Sequence, residues 1–90
     1  MATRLIISGR VQGVFYRAWS TGEAKALHLS GWVRNRRNGD VEMLLDGPEE
    51  KIAEMIRRCQ RGPPSAKVDQ VRTEEADEEV PEGFEKRPTV

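Results

Sequence analysis

Two runs of alternating apolar and polar residues, 31–36 and 40–46, meet at Asn38-Gly39, which commits this part of the chain to an antiparallel hairpin. Its register follows from which residues must share a face. A two-residue turn would group Trp32, Arg34 and Arg36 with Val41, Met43 and Leu45, forcing two arginines onto an apolar surface at a cost in desolvation. A three-residue loop, Arg37-Asn38-Gly39 with Gly39 at positive φ, groups Gly31, Val33 and Asn35 with those residues instead. The second register is expected. It leaves Asn35 as the one polar side chain on that face, where it needs a hydrogen-bonding partner.

The flanking sequence predicts further elements on both sides. A strand over 4–10 sets Leu5, Ile7 and Gly9 on one side and Ile6 and Ser8 on the other. A helix over 18–27 carries Trp19, Glu23, Ala24 and Leu27 at helical spacing and ends at Ser30-Gly31. After the hairpin, Gly47-Pro48-Glu49-Glu50 opens a second helix, with proline in the first turn and carboxylates at the positive end of the dipole. Its stripe of Ile52, Met55, Ile56 and Cys59 packs on the sheet, and Arg61-Gly62-Pro63-Pro64 stops it. A fourth strand is expected over 66–73, and Phe84 begins a short closing strand. This order predicts a ferredoxin-like α+β fold, a split βαββαβ sandwich with two helices on one face of an antiparallel four- to five-stranded sheet.

Composition narrows the class. Ninety residues with 37% hydrophobic content bury one modest core, so a single domain over 1–90 is expected. No apolar run approaches a membrane span and Leu5-Ile6-Ile7 is too short for a secretory segment, so a cytoplasmic monomer without membrane association is expected. The solitary Cys59 reads as a core filler. His28, the only histidine, reads as a surface or capping residue, because no nucleophile or carboxylate motif is tied to it. Net charge is zero but uneven, with seven basic and two acidic residues through Asp40 and eight against thirteen thereafter. The acidic run Glu74, Glu75, Asp77, Glu78 and Glu79 reads as a hydrated loop, and neither a metal nor another cofactor is expected.

The segment from Ser8 to Arg17, SGRVQGVFYR, carries the chemistry. It leaves an apolar strand, turns through Gly9 and Gly13, and presents Arg17 where a helix should begin. Such a turn converges backbone N–H groups on one point, a helix N-terminus adds partial positive charge, and a guanidinium supplies a fork that fits a phosphoryl group. The competing reading is an ordinary glycine-rich turn with a surface arginine. The loop lacks the Lys-Ser/Thr ending of a nucleotide P-loop, and no basic partner for Ser8 or Ser20 is evident, which leaves direct attack by water on a bound phosphoryl group. RNA binding is disfavoured because residues 41–45 offer no aromatic platform, and a copper chaperone would need paired cysteines.

The loop Gly9-Arg10-Val11-Gln12-Gly13-Val14-Phe15-Tyr16-Arg17 and the segment Gly31-Trp32-Val33-Arg34-Asn35, with Gly39 four residues on, together resemble the acylphosphatase family. The resemblance spans nearly the whole chain. It implies hydrolysis of small-molecule acyl phosphates to carboxylate and phosphate without a metal. Arg17 matches the family's catalytic arginine and Asn35 its catalytic asparagine, while Gln12, Gly13, Val14, Phe15, Tyr16 and Arg17 match the phosphate-binding loop. Two departures stand out: Tyr16 replaces the usual Phe or Met, so its hydroxyl needs a partner, and Glu85-Lys86-Arg87-Pro88 is polar where the family's last strand alternates apolar residues. A short or frayed closing strand is expected. The alternative is a non-enzymatic anion-binding or interaction module on the same fold, which would have no use for Asn35.

Overall fold

The computed structural model describes residues 2–90, in seven elements: β1 (Ala2–Arg10), α1 (Tyr16–Ala26), β2 (Ser30–Asn35), β3 (Val41–Asp46), α2 (Glu49–Arg61), β4 (Lys67–Ala76) and β5 (Phe84–Lys86). The strands form one sheet in the order β4-β1-β3-β2-β5. Alternation puts Leu5, Ile7, Val33, Val41, Met43 and Leu45 on one face, where they share a core with Ala24 of α1, Leu27 just beyond it, and Met55 and Cys59 of α2. This is the ferredoxin-like α+β arrangement.

The sheet differs from expectation in one respect: it is mixed, not antiparallel throughout, because β5 runs parallel to β2. The cause is topological. β4 lies on one edge, antiparallel to β1, and therefore opposite in direction to β2 as well. Residues 77–83 leave the end of β4 and carry the chain to the far edge, so β5 runs back against β4 and along β2. Val80 of this connection packs on Ala2, Trp32, Leu44 and Ala76, the apolar patch of the face away from the helices.

The hairpin adopts the three-residue loop. Asn35 pairs with Val41, Val33 with Met43 and Gly31 with Leu45. The Arg36 N–H donates to the Asp40 carbonyl at 2.8 Å, and Gly39 turns the chain at φ 99°. Arg34 consequently faces the other side, where the buried Glu42 carboxylate receives Arg34 Nε at 2.8 Å and Arg4 Nε at 3.0 Å. Arg34 also lies 4.5 Å from the Trp32 ring centroid, with Arg87 at 5.1 Å.

Several boundaries move. α1 starts at Tyr16 because Phe15 takes a left-handed conformation, φ 71° and ψ 17°, that launches the helix early; Tyr16, Ser20 and Ala24 are its buried positions. β4 continues to Ala76 because β1 offers partners that far, Arg4 to Glu74 and Thr3 to Glu75. Glu74 and Glu75 are thus strand residues, not loop residues, and Glu78 beyond them pairs with Arg4. The closing strand is short, as expected, but the tail is pinned: Arg87 N–H donates to the Val33 carbonyl at 2.8 Å and Val90 N–H to the Asn35 carbonyl at 3.1 Å.

Candidate active site

The link between β1 and α1 bends twice through left-handed backbone, at Gly13 (φ 71°) and at Phe15. Phe15 is the costlier of the two, since a side chain there crowds the following carbonyl, and its ring is 77% exposed, with little packing to offset the strain. Left-handed residues at alternate positions curve the loop so that successive N–H groups line its concave side. Among the described residues, the N–H groups of Gly13, Val14 and Phe15 donate to no protein acceptor. The first N–H groups of α1 follow directly and have no partner within the helix.

Two tethers hold this loop in place. Gln12 Nε2 donates to the carbonyls of Arg36 at 2.6 Å and Asp40 at 2.8 Å, joining the loop to the hairpin turn. The Tyr16 hydroxyl donates to the Cys59 carbonyl at 2.7 Å, which joins the start of α1 to α2 and supplies the partner this tyrosine requires. Burial raises the phenol well above its ordinary range. Burial also pushes the Cys59 thiol up to about 12, despite the lowering effect of the Tyr16 hydroxyl.

Between the loop and β2 lies a cavity of about 320 Å³. Of the residues expected to form a site, Gly13, Phe15, Tyr16, Arg17 and Asn35 line it. Gln12 and Val14 do not: Gln12 serves as the tether described above, and Val14 packs against the core while its carbonyl accepts the Ser65 hydroxyl at 3.3 Å. Val11, Ala18 and Lys86 complete the lining. Lys86 was missed by sequence reasoning, which took the residues after Phe84 as a polar, irregular tail. The available signal was strand parity, since Lys86 is two residues beyond the buried Phe84 and pairs with Val33 on the face that also carries Asn35.

The electrostatics of the cavity are one-sided. Arg17 is the second residue of α1, and no acidic residue occupies the first turn, so a guanidinium sits at the already positive end of the helix. Among the described residues no carboxylate lines the cavity. Among the described residues neither Arg17 nor Lys86 forms an ion pair. Arg17 instead donates a long hydrogen bond, 3.4 Å, to the Arg87 carbonyl. Across from it, Asn35 Oδ1 is buried and has no hydrogen-bond partner, alone among the buried side-chain polar atoms of the described residues. Such an atom costs about 1–3 kcal/mol. The arrangement offers converging donors and positive charge to a compact anion, with an unpaired carboxamide beside it.

The acylphosphatase family model matches residues 3–86. An acylphosphatase of Rhizorhabdus wittichii is 46% identical over 90 residues, which is all of this chain and 91% of the relative. Another, of Rhodospirillum rubrum, is 47% identical over 91 residues and covers both chains completely. The crystal structure of acylphosphatase from Bacillus subtilis superposes with a TM-score of 0.89 at 34% identity, covering 96% of this chain and 97% of that one.

Proposed function

Since the chain belongs to the acylphosphatase family, we propose that it hydrolyses the carboxyl-phosphate bond of acyl phosphates by direct attack of a water molecule that Asn35 orients. The phosphoryl group sits in the loop, its oxygens held by the Arg17 guanidinium and by backbone N–H groups between Gln12 and Arg17. These donors are fixed before substrate arrives, so charge that develops on the phosphoryl oxygens meets stabilisation without reorganisation. Asn35 takes a hydrogen bond from the water through Oδ1 and holds it in line with the breaking P–O bond. A carboxylate needs no proton to depart, and a phosphoryl oxygen accepts the proton of the water. No general base or covalent intermediate is required.

The observation that carries this reading is the unpaired Asn35 Oδ1 on the wall of a cavity whose only charged side chains are cationic. A site that only gripped anions would gain nothing from an orphan acceptor. The proposed enzyme acts as a cytoplasmic monomer on free small molecules; in the structure, no helix among the described residues is long and apolar enough to cross a membrane. The test is release of phosphate from benzoyl phosphate in the presence of excess EDTA. Turnover is expected. Absence of turnover by the folded protein, with or without added divalent cations, would refute the proposal.

A further inference from the structure

The cavity holds a second cation, Lys86, beyond the guanidinium that the proposed phosphoryl contacts use. Lys86 stands on β5 and shares its sheet face with Val33 and Asn35, so its side chain enters the cavity from the strand while Arg17 enters from the helix. Its carbon stem and ammonium meet no carboxylate. The remaining lining includes Phe15, a largely exposed apolar residue. Position 86 carries a charge two residues beyond the buried Phe84, on a strand position paired with Val33, where the sheet itself does not need one.

We propose that Lys86 recognises the acyl part of the substrate and selects acyl phosphates whose acyl group carries an additional negative charge, a carboxylate or a second phosphate. The inference rests on the hydrolytic reading above and names the substrate class for that site. The phosphoryl end is satisfied by Arg17 and backbone donors, and it is common to all acyl phosphates; discrimination can arise only from groups that contact what varies. A cation on a partly open wall attracts a distal anion by a few-fold to about tenfold in kcat/KM, more than an exposed ion pair and less than a desolvated one.

The matched probes are benzoyl phosphate and 4-carboxybenzoyl phosphate, equal in shape at the reacting end and different by one distal carboxylate. The readout is the ratio of their kcat/KM values, charged over neutral. That ratio is expected to fall by a few-fold to about tenfold in Lys86→Met, to fall further in Lys86→Glu, and to survive in Lys86→Arg. A ratio within twofold of wild type in Lys86→Met overturns the proposal while leaving the hydrolytic reading intact. Calorimetric binding of the two corresponding acylphosphonates, which cannot be hydrolysed, separates the failures. A Lys86-dependent preference for the carboxylated phosphonate in a protein that turns over neither phosphate upholds the selectivity and refutes the hydrolysis; equal binding of both refutes the selectivity.

Discussion

Asn35→Ala should produce a protein that is both more stable and nearly inactive. The wild-type side chain carries a buried oxygen without a partner on a face otherwise made by Val33, Val41, Met43 and Leu45. Removing an unsatisfied buried acceptor recovers about 1–3 kcal/mol, whereas loss of the packing of one half-buried carboxamide costs about 1 kcal/mol. The balance is a gain of about 1 kcal/mol, which for a domain of this size raises Tm by about 4–8 °C. Catalysis should move the other way: kcat falls by about 10²–10³, as for loss of one preorganised polar group, with little change in KM, since the phosphoryl contacts remain. Urea unfolding and steady-state hydrolysis of benzoyl phosphate on the same preparation check both halves. A variant that is destabilised yet retains its kcat would show that the carboxamide serves the fold, and a rise in KM matching the fall in kcat would show that it binds phosphate.

Arg17→Ala should lose at least 10²–10³ in kcat/KM, roughly 3–4 kcal/mol of transition-state stabilisation, with unfolding little changed because Arg17 forms no ion pair among the described residues; steady-state kinetics and a urea melt decide it. Tyr16→Phe strands the Cys59 carbonyl and should cost about 1–3 kcal/mol of stability, read as a lower urea midpoint at constant m-value. Alkaline pH should destabilise the fold: burial holds the Cys59 thiol to about 12 against its ordinary 9.0, so the unfolded chain sheds the proton first and stability falls as pH rises from 9 towards 12. Tyr16 acts in the same sense. A urea midpoint that is flat between about pH 8 and pH 11 would refute this linkage.

The parts of the molecule set by short-range physics could be read from the residues alone. Asn38-Gly39 and the cost of burying two arginines determine the hairpin register, and that register puts Asn35 on the inner face. The stripe of Met55 and Cys59 announced which side of α2 is buried. What could not be read depended on contacts distant in sequence. The direction of β5 follows from which edge β4 occupies, and the length of β4 from how far β1 extends, so neither is encoded near Phe84 or Glu74. The entry of Lys86 into the cavity inherits that difficulty. Gln12 shows the same limit within the loop itself: its place in the motif does not reveal that its side-chain amide spans to carbonyls 24 and 28 residues away.

The placement of β4 at the margin of the sheet has a consequence for how copies of this chain meet. Ten residues of strand lie there with one row of peptide groups unmatched, a template on which another molecule could extend the sheet. Along it Lys67, Asp69, Arg72, Glu74 and Glu75 are all exposed and carry both signs, so a second molecule pairing there would bring like charges together in many registers and strip charged groups of water in all of them. The side chains that keep this border soluble are thus a guard against fibrous self-association, achieved on a strand whose inner neighbour is among the most apolar in the protein.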